Sequence, residues 1–419
     1  MTMFLRADRL LDGTGAEPVR DGVLEIDDGK IVAVHRGGAP EDATVKEFPG
    51  CTILPGLIDT HVHLNLPGDG TILEEAMRET PGFLLASAVG AAGTALGAGI
   101  TTVRDLGAYR TTSFDVRRAI ERGYATGASV VACGTPITIT GGHTWYLGGE
   151  ADGVEPLRHK VRELIKQGAD FIKVMGSGGG TIGTASWRPA FTQDELNAIV
   201  DEAHRNERKV TVHCLCAASI EQAIVAGVDQ IEHAGFTANS DGMQRYDAAV
   251  GDKLGQSGIP VTATLAVSVT YLNVLRQTAA TTPAQAKLLD RWERMTAGNM
   301  AHYAKLSEAG VRYVAGTDAG WRYTSFDALP LEMELMSAAG TSNSQVIAAA
   351  TGFAAKVIGI DEHTGTLAPG LAADVIVVEG NPLDSLDALR DVRFILKRGK
   401  SYHPAGRDRI APQAARLQL

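Results

Sequence analysis

Short runs of β-branched and apolar residues recur along this chain, and several of them end on a side chain able to bind a metal. Ile53-Leu54-Pro55-Gly56-Leu57-Ile58-Asp59 turns into His61 and His63. Lys173 sits in Phe171-Ile172-Lys173-Val174, His213 ends Lys209-Val210-Thr211-Val212, and His233 ends Asp229-Gln230-Ile231-Glu232. Asp318 follows Val314-Ala315-Gly316-Thr317. Separate strands that finish on imidazoles, a lysine or a carboxylate require a fold that gathers strand ends at one place. A parallel barrel does this, because the carboxyl ends of all its strands form one face.

Strand and helix signals alternate through the middle of the chain, the pattern of a parallel sheet. Eight runs read as strands: 51–54 running into 60–63, then 101–104, 129–133, 171–174, 210–213, 230–233, 261–265 and 313–316. Amphipathic stretches at 194–206, 217–225 and 283–309 read as helices between them. Eight such units favour a (β/α)8 TIM-like barrel, which takes about 250 residues. No Gly-x-Gly-x-x-Gly follows the first strand, against a dinucleotide-binding sheet. The chain has 419 residues, so a barrel leaves room for a smaller domain. The runs 2–11, 22–26, 31–34 and 44–47 read as short strands, with Asp27-Asp28-Gly29 as a hairpin turn. Residues 373–378 and 392–396 repeat that style near the other terminus. Neither end has the apolar surface for its own core. The expected division is a small β-sandwich domain from 1–55 and 365–419 and a barrel over 56–364.

A net charge of −10 argues against nucleic-acid partners. No run reaches the roughly 18 apolar residues of a membrane helix, since Gly90, Gly93, Gly97 and Gly99 interrupt the most apolar stretch, 83–100. The amino terminus lacks a signal-peptide core, and 4 cysteines are too few for a disulfide scaffold. A cytoplasmic protein acting on a small molecule is expected, with no membrane or nucleic-acid partner and a homo-oligomeric state. Cys214 and Cys216 alternate with His213 on one strand, so they face away from it and read as buried packing.

His61 and His63 at i, i+2 on a strand share one face. Imidazole and carboxylate donors suit zinc and related divalent ions. Taken alone, Lys173 reads as a lysine whose charge escapes at a strand end, or as a phosphate ligand. Three connections, 64 to about 80, 135–153 and 176–192, exceed the usual few residues. All leave carboxyl ends of predicted strands, so they are expected to form the mouth of the site. Trp145, Tyr146, Trp187, Arg188, Trp321, Arg322 and Tyr323 fall in loops at that mouth and are candidate substrate contacts, suited to a ring and a carboxylate. Arg104 and Asp105 end strand two as a candidate ion pair behind the metal ligands.

Pro55-Gly56-Leu57-Ile58-Asp59-Thr60-His61-Val62-His63 resembles the first-strand signature of the amidohydrolase superfamily. Gly365-Thr366-Leu367-Ala368-Pro369-Gly370-Leu371-Ala372-Ala373-Asp374 with Val375-Ile376-Val377-Val378 is similar to its carboxy-terminal sheet motif. The resemblance runs through nearly the whole chain. It points to the binuclear members with a carboxylated lysine, on the branch similar to Xaa-Pro and Xaa-Arg dipeptidases and to imidazolonepropionases. It implies two divalent metal ions, zinc expected, and a CO2-derived carboxylate on Lys173 bridging them. One metal would take His61, His63 and Asp318, the other His213 and His233. Asp318 would carry the proton, and His143, in Gly141-Gly142-His143, would donate to the oxyanion.

The implied activity is hydrolysis of an amide C–N bond by metal-activated hydroxide, in a dipeptide or an N-acyl amino acid. Alternatives are hydrolysis of urea or carbamate xenobiotics such as phenylureas, and a non-catalytic scaffold on the same fold. One departure stands out. The dipeptidase-like branch carries a cysteine-rich insertion between strands three and four, and here Gly148-Gly149-Glu150-Ala151-Asp152-Gly153 leads directly into the next helix.

Overall fold

A computed structural model describes residues 2–71, 73–278 and 282–405. Ile72 in the first long connection, and 406–419 of the expected terminal domain, lie outside the described residues. All eight predicted barrel strands are present: β1 (Leu57–Val62), β2 (Ile100–Asp105), β3 (Ser129–Ala132), β4 (Ile172–Met175), β5 (Val210–His213), β6 (Gln230–Glu232), β7 (Val261–Thr262) and β8 (Tyr313–Val314). Every neighbouring pair within β1–β3 and β4–β8 is parallel.

The eight strands form a sheet of three and a sheet of five, not one continuous ladder. Backbone bonds nevertheless cross both seams. Thr60 N donates to Ala315 O at 3.0 Å and Asp318 N to His61 O at 2.8 Å, while Asp170 N donates to Ala132 O at 2.9 Å. Isolated parallel bridges join Val62 to Ala319 and Ile137 to Val174. β7 and β8 are only 2 residues each, so the ladder is thin there. The result is a TIM-barrel-like α/β fold. Its core runs through Leu57, Val103, Val130, Ile172, Val212 and Val261 and out to the surrounding helices.

Strands from both ends of the chain share one eight-stranded sheet. Its order is Lys400–Tyr402, Val392–Lys397, Val375–Glu379, Val45–Pro55, Met3–Leu10, Val23–Asp27 and Lys30–His35, with Val19–Arg20 beside Met3–Leu10. A separate cluster including Leu5, Ile31, Ile53, Val375 and Leu396 draws its apolar surface from both ends. The predicted hairpin is present, with Asp28 at φ 45° and Gly29 at φ 74°, as a tight two-residue turn requires.

Two boundaries differ from the sequence reading. Residues 44–47 and 51–54 belong to one strand, Val45–Pro55, because a bulge against Met3–Leu10 absorbs Pro49 and Gly50. That strand does not run on into β1 within one sheet. The chain turns at Gly56, where a Cβ would lie 2.2 Å from the Thr101 side chain, so only glycine fits.

The three long connections leave the carboxyl ends of β1, β3 and β4, as the spacing predicts. Among the described residues, no helix is long and apolar enough to cross a membrane.

Candidate metal centre

The predicted metal ligands all come to the carboxyl end of the strands. His61 lies in β1 and His63 just past it, Lys173 in β4, His213 at the end of β5, His233 just after β6 and Asp318 after β8. All six are buried except His233, which is half-buried. One ligand atom each from His61, His63 and Asp318 lies within 4.8 Å of the others. Asp318 Oδ1 is 3.5 Å from His61 Nε2 and 3.3 Å from His63 Nε2. The ring centroids step onward from His61 to His233 at 5.1 Å and from His233 to His213 at 4.6 Å. His213 lies 4.7 Å from His143. The fifth imidazole is thus continuous with the four predicted ligands.

Several interactions aim these rings. His61 Nδ1 bonds Glu232 Oε2 at 2.9 Å, His63 Nδ1 donates to Gly107 O at 3.0 Å, and His233 Nδ1 bonds Thr264 Oγ1 at 2.7 Å. For His61 and His63 this leaves Nε2 facing Asp318, the usual arrangement behind a metal, whereas His213 Nε2 donates to Gly178 O at 3.2 Å. Lys173 is 1% exposed, so its charge does not escape at the strand end. Among the described residues, no carboxylate lies within ion-pair distance of its amine. Burial pushes its pKa down, opposed by the more distant Glu232 and Asp318.

The donor set fits divalent cations. Burial pulls His61, His213 and His233 below the ordinary imidazole value, His233 to about 3, so these rings are neutral donors. Burial would raise Asp318, yet His61 and His63 hold it well below the usual carboxylate range. Its Oδ1 is buried without a hydrogen-bond partner. A buried, ionised oxygen without a hydrogen-bond partner costs several kcal/mol if nothing compensates it, and a bound cation would supply the compensation.

Backbone conformation at the site is also unusual. His233 at φ 70° and Asp318 at φ 59° lie in the left-handed region, at a cost of about 1–3 kcal/mol each for a residue with a Cβ. The surroundings hold them there. Asp59 accepts from the backbone N–H groups of His61 and Thr317, each at 3.1 Å, and from the Thr317 hydroxyl at 2.6 Å. This ties the His-x-His strand to the Asp318 loop.

The expected Arg104–Asp105 pair does not form, because neighbours on a strand point to opposite faces. Arg104 donates to Gln230 Oε1 at 2.6 Å, stacks on Phe171 at 4.0 Å, and lies 3.7 Å from Glu232. Asp105 accepts from Leu64 N and Gly107 N, and so fixes the carbonyl that orients His63. Cys214 and Cys216 are buried, and burial pushes the Cys214 thiol well above its ordinary value.

Glu232 was missed by the sequence reading, although a carboxylate inside an apolar strand was a usable signal. It is fully buried between His61, Thr211 and Arg104. Glu232→Gln is expected to keep the fold and to weaken zinc binding about 10–100-fold. Competition against a chelating dye checks this, and unchanged affinity would show that His61 needs no such support.

His143 is buried, 5.4 Å from Trp321 by ring centroids, and bonds Thr181 Oγ1 through Nδ1 at 2.8 Å. A Cβ on Gly179 would come within 2.5 Å of its ring, so the glycine run after β4 admits this histidine. Burial drops its pKa to about 3. A cavity of about 200 Å³ opens over the centre. Trp321 and Arg322 line it. Trp145, Tyr146, Trp187, Arg188 and Tyr323 stand outside its lining. Trp145, Trp187 and Arg188 open to solvent, and Tyr146 packs beside Leu66, Met77 and Leu147. Tyr323 stacks on Tyr271 at 5.8 Å. Tyr271 in turn carries the Arg322 guanidinium at 4.6 Å.

Residues 52–403 match the amidohydrolase family. The chain is 29% identical to an ochratoxinase from Aspergillus niger, over 96% of this chain and 87% of that protein. Its structure is similar to that of a Xaa-Pro dipeptidase with bound methionine in the active site, with a TM-score of 0.82 and 26% identity, covering 96% of this chain and 100% of the other. A phenylurea hydrolase B, at 20% identity and a TM-score of 0.78, covers 97% of each chain and shares the fold.

Proposed function

The chain belongs to the amidohydrolase family, and on that premise we propose that it is a binuclear metal enzyme cleaving the amide bond of an N-acyl amino acid or a dipeptide. The family and the relatives support amide hydrolysis as the reaction. The observation that carries the metal reading is the orphaned, buried Asp318 Oδ1 among the imidazoles.

His61, His63 and Asp318 would hold one ion, His213 and His233 the other, and a Lys173 carboxylated by CO2 would bridge them. Zinc is the ion expected from these donors. When bound, the pair supplies a water acidified from 15.7 toward about 7 and a polarised carbonyl. Asp318 accepts the proton released as the water oxygen bonds the carbonyl carbon. It returns that proton to the departing nitrogen as the C–N bond breaks. His143 donates to the oxygen that gathers negative charge. A Thr181 hydroxyl that donates to Nδ1 leaves the ring proton on Nε2, the tautomer this role needs. Arg322, whose Nε has no hydrogen-bond partner, receives the substrate carboxylate, with Trp321 as a wall.

The similarity to an ochratoxinase and a Xaa-Pro dipeptidase supports these substrates over ureas. A panel of N-acyl amino acids, dipeptides and aryl ureas against the zinc-loaded protein tests the reading. Turnover is expected only with the carboxylate-bearing amides. Turnover confined to aryl ureas would replace the substrate class, and no turnover with no bound metal would favour a scaffold.

A further inference from the structure

The cavity over the metal centre does not end there. It is also lined by Thr237 and Gln244 and, on the helix Pro283–Glu308, by Asn299 and His302. Buried polar side chains are bonded in the large majority of cases, yet four of the cavity's residues carry a buried polar atom with no partner: Asp318, Arg322, Gln244 and His302. A metal would answer the first and a substrate carboxylate the second. Gln244 Oε1 and His302 Nδ1 remain.

Their environment defines what would satisfy them. Gln244 spends an amide hydrogen on Thr237 Oγ1 at 3.2 Å, so its oxygen is free only to accept. His302 is 7% exposed and sits between the Phe236 and Tyr246 rings, at 5.2 and 5.7 Å. Burial, with Lys305 nearby, lowers its pKa to about 4, so the ring is neutral. The cavity walls also include Leu265, Trp292, Met295 and Leu306. The cavity therefore joins apolar walls to Gln244 Oε1, an acceptor that lacks a hydrogen, and to His302 Nδ1, a ring nitrogen that lacks a partner.

We propose that this end is the pocket for the part of the substrate remote from the scissile bond, and that it takes an apolar or aromatic group bearing a neutral hydrogen-bond donor, a hydroxyl or carboxamide, received by Gln244 and His302. The assignment of this part to a substrate rests on the amide-hydrolase reading above. The carboxylate end of the substrate belongs with Arg322.

The test compares 4-methylphenol with 4-fluorotoluene, which are of similar size and differ in the O–H. Neither has a bond that the proposed reaction cleaves, so binding to the zinc-loaded protein is read apart from turnover. The phenol is expected to bind about tenfold more tightly, the worth of one well-made hydrogen bond. Gln244→Leu and His302→Phe should each reduce that preference and leave 4-fluorotoluene unchanged. Equal binding of the two probes to the unaltered protein overturns the proposal, as does a preference that survives both substitutions. A retained preference in a protein that hydrolyses no amide would sink the reaction reading and leave the pocket standing.

Discussion

Lys173→Ala is expected to empty one or both metal positions and to lower kcat/KM by about 10⁴-fold or more, the scale seen when one member of a catalytic unit is removed. Bare lysine is a poor neighbour for two cations, and burial already disfavours its charged form. That same depression favours the neutral amine, the form that attacks CO2. Its nitrogen bonds the carbon, one proton leaves, and a neutral amine becomes a carbamate anion at the centre of a ring of imidazoles. Alanine cannot make this anion, and it leaves a hole the size of the lost side chain. Circular dichroism should show the fold retained, since β4 keeps its apolar neighbours Ile172 and Val174. Added acetate, small enough for the hole, should restore part of the metal content and rate. Full metal content with normal turnover in the alanine variant would remove Lys173 from the site.

Asp318→Asn should separate the two duties given to that residue. The amide oxygen can still reach a metal, so metal content falls modestly. It cannot accept a proton near neutral pH. The loss in kcat is therefore expected at about 10²–10⁴-fold, the usual worth of a positioned general acid–base group, with little change in KM. In the native protein His61 and His63 hold Asp318 below the ordinary carboxylate range, so it is ionised and able to accept throughout neutral pH. A variant that loses metal and rate in proportion would make Asp318 a ligand alone.

How much of this was legible in the sequence follows from what each residue depends on. His61, His63, Lys173, His213, His233 and Asp318 were legible because each lies in or closely follows a strand whose apolar run marks its place. In a barrel, ending a strand is enough to reach the site. Both terminal segments read correctly as strands, although the bulge at Gly50 hid the unity of Val45–Pro55. Residues that act through long-range contacts were not legible. Asp59 works by holding Thr317, and Glu232 by holding His61, partners 258 and 171 residues away. The left-handed backbone at His233 and Asp318 left no trace either, since neither is a glycine. Among the mouth aromatics, composition pointed to the right loops without separating Trp321, on the cavity wall, from Trp145 and Trp187 at the surface. Gln244 and His302 gave no signal, because an ordinary polar residue on a helix or loop becomes informative only when its partner is missing.

The claim of a binuclear centre is tested most directly by metal stoichiometry. The protein is reconstituted with zinc in bicarbonate buffer, freed of loose metal, and analysed by mass spectrometry for zinc per chain. Two equivalents are expected for the native chain. One equivalent or none, in a preparation that still hydrolyses its amide substrate, would contradict the two-metal account.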